Sequence, residues 1–351
     1  MQSVYKTRRY QIHDGPWGIK TKWVELGKAT TEKILTQRFN LEPSRVFSKT
    51  RHRLNKWTAL DTIVLKAIKE IFERSASSLW GVEKNCVFSM KSSKTKKRGL
   101  KQMVQSVQSL TSNYKWVCKT DIADFYYTID HKIVKDSLPA EMPGCVRKIV
   151  IDYCDRVEIV DGDYQHVKRG IAKGGVLSPT IGNWYLKPLD KALANLQGVV
   201  YRRYMDDLFV FTNSRRKLRK AIKLIHLYCE MLKLKLSKPK TFIGRTERGF
   251  SGLGYEFKPN LRLKPSEQCL SRMRDKALLL YEEVRRGWKT EPLQQRQARV
   301  VQYLKRWWTW CKGGINELLD QTKAMQGVLN VLPSSLNGLG LNQEMTSWLP
   351  H

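Results

Sequence analysis

Two adjacent carboxylates, Asp206 and Asp207, sit inside the run YRRYMDDLFVF at residues 201–211. Aromatic and aliphatic residues that favour burial flank them on both sides, and acids in such a setting repel each other and lose solvation. A third acid, Asp121, ends the apolar run of YKWVCKTDIADFYYTI, residues 114–129. A divalent cation stabilises carboxylates gathered in this way, and hard oxygen ligands suit Mg2+. Two such ions about 3.5–4 Å apart serve phosphoryl transfer, stabilising the attacking and the leaving oxygen. A bare acid pair in a turn is more often simply solvated. The apolar strands around this one and the separate Asp121 weigh against that.

The surrounding pattern predicts elements that could position the three acids. VVYRRYMDDLFVFT (199–212) reads as two short strands meeting at the acid pair in a hairpin. Residues 114–121 read as a buried strand ending at Asp121, followed by a turn and a helix. VKRGIAKGGVLSPTIGNWYLKPLDKAL (167–193) is a glycine-rich turn feeding a helix. Gly174 and Gly175 let backbone approach a ligand closely, because no Cβ intervenes. Helical spacing recurs over 56–80, with Ile63, Ala67, Ile68, Ile71 and Phe72 on one face, then in a segment ending at Leu110, at 144–156 and at about 215–233. A strand pair is expected around GFSGLGYEF (249–257). From Pro265 the chain reads as helical. Leu270, Met273, Ala277, Leu280 and Val284 share one face, and Val301, Leu304, Trp307, Trp308 and Cys311 another. The whole is an α+β chain with an all-helical C-terminal module.

At 351 residues, 41% of them hydrophobic, the chain can bury a sizeable core in two or three subdomains. Lys and Arg number 64 against 32 acids, a formal charge of +32 that favours polyanions, nucleic acid first. No apolar run reaches about 18 residues, so no spanning helix and no membrane partner are expected. The opening MQSVYKTRRYQIHDG is basic without an apolar core, unlike a secretory signal. Seven scattered cysteines without a CxxC pair suggest reduced thiols and a cytoplasmic location. The six histidines form no zinc-like cluster.

With these motifs in order, the chain resembles reverse transcriptases. YMDD (204–207) resembles their catalytic motif, and DIADFYYTIDH (121–131) their first-aspartate motif. RGIAKGGVLSPTIGNWYLKPLD (169–190) is similar to the glycine-rich segment of bacterial retroelement enzymes, group II intron types included. LKLSKPKTFIG (234–244) and GFSGLGYEF (249–257) look like the next two motifs. The resemblance implies a right-hand polymerase fold: fingers, a palm whose antiparallel sheet carries YMDD, and a helical thumb. The boundaries expected are an N-terminal extension over 1–45, fingers over 46–113, palm over 114–260 with finger elements around 140–180, and thumb plus tail over 261–351.

Carried over by position, the resemblance gives two Mg2+ ions to Asp121 and Asp206, with Asp207 an outer contributor and the Ile122 carbonyl completing one shell. Tyr126, with Asp124 and Phe125 beside it, takes the place of an aromatic gate that crowds a ribose 2′-OH and favours dNTPs. Gly174, Gly175, Ser178, Pro179 and Asn183 match the template and nucleotide segment, and Lys240 a lysine near the triphosphate. Lys49, Arg51 and Arg53 stand where fingers supply cations, and Phe250, Leu253, Gly254 and Tyr255 resemble the primer grip. Arg202 and Arg203 are expected to touch nucleic-acid backbone. In the thumb, Arg272, Arg274, Lys276, Arg285, Arg286 and Lys289 would hold phosphates. Trp288, Trp307, Trp308 and Trp310 are interleaved there, with packing their simpler role.

Three departures mark a divergent branch. Lys173 replaces the usual Gln before the paired glycines, FSMKSSKTKKRG (88–99) stands for an FRPGRS-like finger segment, and Tyr127 replaces an acid. No VTG signature is present, Ser178-Pro179 stands where diversity-generating enzymes have SQ, and the chain ends soon after the thumb. The function expected is RNA-directed DNA polymerisation on a dedicated, structured non-coding RNA, in a stand-alone bacterial enzyme of anti-phage defence. RNA template, DNA product and dNTPs are its expected partners, with room for a protein partner or a homo-oligomer. The alternatives are a maturase-like RNA-binding protein and a template-independent or protein-primed polymerase on the same fold.

Overall fold

The computed structural model describes residues 23–49, 52–90, 99–285 and 293–315. In chain order, α1 (Trp23–Leu35) precedes the hairpin β1 (Ser44–Lys49) and β2 (His52–Lys56), then α2 (Ala59–Ser75), α3 (Leu100–Asn113) and β3 (Trp116–Asp121). One turn of helix, α4 (Phe125–Thr128), leads to α5 (His131–Ser137), α6 (Gly144–Cys154), β4 (Val157–Val160) and β5 (Asp163–His166). Next come α7 (Ser178–Tyr185), α8 (Lys187–Ala194), β6 (Val200–Tyr204), β7 (Asp207–Thr212), α9 (Arg215–Met231) and β8 (Phe242–Arg245). The short strands β9 (Phe250–Gly252), β10 (Tyr255–Phe257) and β11 (Lys264–Pro265) lead into α10 (Glu267–Arg285) and α11 (Leu293–Lys312). Among the described residues no helix is long and apolar enough to cross a membrane.

Two compact units divide the fold. The first comprises the described parts of 1–90, 120–206 and 219–240. Its helix α2 starts where Thr58 Oγ1 accepts the Asp61 N–H at 3.1 Å, an N-cap that ends the preceding extended segment. Ile63, Val64, Leu65, Ile68 and Phe72 are buried, and α2 packs on α6 and α7. Ile71, expected on this face, stays 37% exposed, because the buried ridge runs through 64, 68 and 72. The first unit also holds a sheet ordered β2–β1–β4–β5, parallel only between β1 and β4. Asn55 Nδ2 joins its strands, donating to Ser44 Oγ at 3.0 Å and Glu158 Oε1 at 2.8 Å. The hairpin β4–β5 was not foreseen in the sequence: β4 is half-buried throughout and β5 exposed throughout, so neither shows the alternation that marks a strand.

The second unit comprises the described parts of 91–119, 207–218 and 241–351. Its sheet runs β7–β3–β8, with β3 antiparallel to β8 from Trp116↔Arg245 to Lys119↔Phe242. Leu208 to Thr212 of β7 are buried on both faces, which gives the strand its continuous apolar sequence. Phe250 stacks on Phe242 at 5.8 Å and on Phe257 at 5.4 Å. The helices α10 and α11 pack on each other and bury Met273, Ala277, Val300, Leu304, Trp308 and Cys311. Val301, expected inside, is half-buried, and Val300 takes its place. The helix α9, whose residues from 219 onward belong to the first unit, buries Leu218, Ala221, Ile225 and Cys229 while Arg215, Arg216, Lys217, Arg219, Lys220 and Lys223 stay exposed.

Candidate active site

Where β3 ends at Asp121, the chain runs beside residues 235–237. Ser237 N–H donates to the Asp121 carbonyl at 2.8 Å, and Ala123 N–H to that of Lys235 at 2.8 Å. Asp124 then adopts a left-handed conformation (φ 47°, ψ 38°) that turns the chain into α4. Ile122 N–H donates to the Asp206 carbonyl at 3.3 Å, drawing the tip of the YMDD turn against Asp121. Burial raises the Asp206 carboxyl above its ordinary 3.8, and the charge of Asp121 raises it further. Lys240 and Lys173 act in the opposite direction. Lys240 Nζ, on a mostly exposed side chain, donates to Asp121 Oδ2 at 2.8 Å, whereas Asp121 itself is only 6% exposed. Two carboxylates and two lysines thus form one electrostatic group. Asp207 follows Asp206 in the chain and opens β7 in the second unit.

The turn has a buried support. Strand β6 alternates, burying Tyr201 and Arg203 and half-exposing Arg202 and Tyr204. Arg203 is 0% exposed, which overturns its expected place on a nucleic-acid backbone. Its guanidinium grips Asp190 with two bonds, Nε to Oδ1 at 2.8 Å and Nη2 to Oδ2 at 2.6 Å. Nη1 donates to the Met205 carbonyl at 2.8 Å and to Asn183 Oδ1 at 3.1 Å. Met205 has φ 53°, so the arginine holds a left-handed residue immediately before Asp206. Tyr201 Oη donates to Asp190 Oδ1 at 2.8 Å, and Ser89 Oγ to Asn183 Oδ1 at 2.8 Å. Asn183, expected beside the nucleotide, is part of this framework. Asp190 was not foreseen as a site residue and Arg203 was misplaced, although the period of two starting from Tyr201 carried the signal for the latter.

Tyr126 lies on α4 with its hydroxyl 3.6 Å from Met205 Sδ. Burial and, after it, the charge of Asp206 push its phenol up to about 12. Phe125 is buried and packs on the Tyr126 ring at 5.3 Å. A Cβ at Gly182 would come within 2.9 Å of the Phe125 ring, which ties α7 to α4.

The glycine-rich turn is built around Tyr153. Ser178 Oγ donates to the Ala172 carbonyl at 2.5 Å and lies 2.7 Å from Tyr153 Oη. The Tyr153 ring in turn stacks on Trp57 at 5.4 Å. Pro179 sits in the first turn of α7, where no N–H is needed. Ser178 and Pro179 therefore shape the turn. A Cβ on Gly175 would collide with Tyr153 Oη, and Gly174 takes φ +78°. Because Tyr153 is wholly buried and cannot retreat, Gly175→Ala should cost about 1–3 kcal/mol by overpacking. Urea unfolding measures this, and a variant as stable as the parent would show that the turn yields. The Lys173 ammonium lies 5.8 Å from the Tyr127 ring centroid. Gly174, Gly175 and Val176 form one wall of a cavity of about 760 Å³, and Arg45, Phe47, Asn55, Lys56 and Trp57 line the hairpin side. The Trp57 indole N–H is buried with no acceptor among the described residues.

The remaining expected residues separate. Phe250 belongs to the aromatic core, and Tyr255 is buried with its hydroxyl donating to the Cys311 carbonyl at 2.8 Å. Leu253 (φ 53°) and Gly254 (φ +88°) form the tight turn between β9 and β10. There a Gly254 Cβ would meet the Trp310 ring at 2.5 Å. Arg51, the side chains of Lys49, Arg53 and Arg285, and all of Arg286, Trp288 and Lys289 lie outside the described residues. So do most of the 88–99 segment, residues 1–22 and the tail 316–351.

Among the described residues, no three His, Cys, Asp or Glu side chains stand together as a metal cage. Mg2+ needs none, since it keeps waters and substrate phosphates and takes one or two carboxylates from protein. The coupled, poorly solvated Asp121 and Asp206 suit that share.

Residues 48–257 match the family model described as reverse transcriptase (RNA-dependent DNA polymerase). No curated protein matches in sequence. Among solved structures, the chain is similar in fold to telomerase from Candida albicans in complex with a TWJ fragment of telomeric RNA. That match has TM-score 0.50 and 14% identity over 93% of this chain and 65% of that one. It is similar too to apo telomerase from Candida tropicalis truncated from its C-terminal domain, at TM-score 0.50 and 11% identity over 70% of this chain and 60% of that one. The chain thus spans less than two thirds of either neighbour. At these identities the likeness concerns the fold, an α+β polymerase fold.

Proposed function

Because the chain belongs to the reverse transcriptase family, we propose that it extends a primer with dNTPs on an RNA template. The observation that carries this is the pairing of Asp121 with Asp206 at a YMDD turn anchored from below by Arg203. In the reaction the primer 3′-OH attacks the α-phosphorus of the dNTP. A new P–O bond forms as the bond to pyrophosphate breaks, and the hydroxyl proton is lost. Two Mg2+ ions, held by Asp121, Asp206, Asp207 and the Ile122 carbonyl, would supply hydroxyl activation and charge neutralisation. Lys240, whose ammonium already balances Asp121, would face the triphosphate and stabilise or protonate the departing pyrophosphate. The cavity between the β1–β2 hairpin and Gly174–Gly175 has the cations and aromatics to hold a template strand. Fingers over 46–113, palm over 114–260 and thumb from 261 remain the division we propose. The bacterial, non-coding-RNA and defence setting rests on the motif spelling around Lys173 and Ser178-Pro179.

Primer extension on an RNA template with each nucleotide class tests this reading. The parent should extend with dNTPs and discriminate against rNTPs through the Tyr126 ring. Tyr126→Ala should narrow that discrimination by about 10–100-fold, the scale of a lost steric contact in a pocket. Unchanged discrimination would remove Tyr126 from the gate. The alternative reading, synthesis without a template, rests on Lys173 standing in place of the usual Gln. Equal extension with and without RNA would establish that reading instead.

A further inference from the structure

In the second unit, three segments distant in sequence meet at Trp116, the first residue of β3. Lys115 N–H donates to Asn213 Oδ1 at 3.0 Å, just ahead of α9. Thr246 N–H, just past β8, donates to the Lys115 carbonyl at 3.1 Å. The half-buried indole of Trp116 carries two guanidinium groups, Arg245 at 5.5 Å and Arg215 at 5.8 Å from its ring. Arg215 opens α9 and is followed by exposed Arg216 and Lys217. Glu247, itself largely exposed, lies 3.7 Å from Arg245.

An aromatic face holds a guanidinium without using its N–H fork, which stays available for bidentate contact with phosphate. Three cations in the first turn of α9 also add to the positive end of the helix dipole, where helix stability alone would favour acids. Trp116 opens β3 and Asp121 ends it, so the surface is built on the start of the strand and not on the residue that carries the chemistry.

We propose that the Trp116, Arg215, Arg216, Lys217 and Arg245 surface grips the phosphodiester backbone of RNA outside the segment being copied. The choice of RNA rests on the polymerase reading above, since a template is present before any DNA product exists. A protein with Arg215→Gln, Arg216→Gln, Lys217→Gln and Arg245→Gln tests it in two assays. Fluorescence anisotropy over a salt series would measure binding to a structured RNA, to single-stranded DNA of equal length and to phosphatidylserine vesicles. Extension of a short primer on a short RNA template would be followed in parallel.

The expected result is a loss of RNA affinity of at least about 10-fold and a salt slope shallower by about 3, as for four lost phosphate contacts. Extension of the short duplex should be unchanged. Unchanged RNA affinity and slope would overturn the proposal, as would a larger loss for DNA or for vesicles. Failure of the parent to extend the short duplex would instead count against the polymerase reading. If the fourfold variant unfolds, Arg216→Gln with Lys217→Gln keeps both guanidinium groups on Trp116 and should remove about half of the slope change.

Discussion

Replacing Asp206 with Asn is expected to lower primer extension by at least about 10³-fold while making the metal-free protein more stable. The catalytic loss corresponds to about 4 kcal/mol at 1.36 kcal/mol per decade. The stability gain follows from the same geometry. Burial, and after it the charge of Asp121, raises the Asp206 carboxyl above its ordinary 3.8. A carboxyl raised on folding contributes stability that is fully present below the ordinary value and is lost as pH rises through the raised one. At neutral pH the ionised group therefore works against the fold, and Asn removes that charge. Thermal unfolding from acid to neutral pH, with and without Mg2+, would show the parent losing more stability with rising pH than Asp206→Asn. Mg2+ should stabilise the parent more than the variant. Full activity in Asp206→Asn, or parallel pH profiles, would refute the assignment. Asp121→Asn should be as inactive, since it removes the other half of the pair.

Arg203→Met is expected to destabilise the first unit by about 3–5 kcal/mol, the usual consequence of leaving a buried charge without its partner. Asp190, 0% exposed, would lose both guanidinium bonds while keeping the Tyr201 hydroxyl. The double replacement Arg203→Met with Asp190→Leu removes both charges and should recover most of the stability. It should not recover primer extension, because the Met205 carbonyl would still lack its donor and the turn carrying Asp206 its anchor. Urea unfolding and extension rates on the three proteins separate the two roles. Recovery of both properties in the double variant would make Arg203 a purely structural residue.

Much of the fold was legible because its signals are local. The strand ending at Asp121, the hairpin at the acid pair, the helices at 59–75, 144–154 and 215–231 and the helical C-terminal module all follow from the spacing of apolar residues. Hairpin β4–β5 was hidden because it buries no face, and Ile71 and Val301 were placed one step off the buried ridge.

By itself, then, the sequence determined which strand and turn carry Asp121 and Asp206 and the family those motifs belong to. Only the tertiary structure decided what each polar side chain faces. Lys240 meets Asp121 across 119 residues, Arg203 turns inward onto Asp190, and Ser178 and Asn183 brace turns instead of reaching outward. The reason is physical. A period of two or 3.6 fixes which residues share a face. The partner for a buried charge comes from another element, through a contact that no local period encodes.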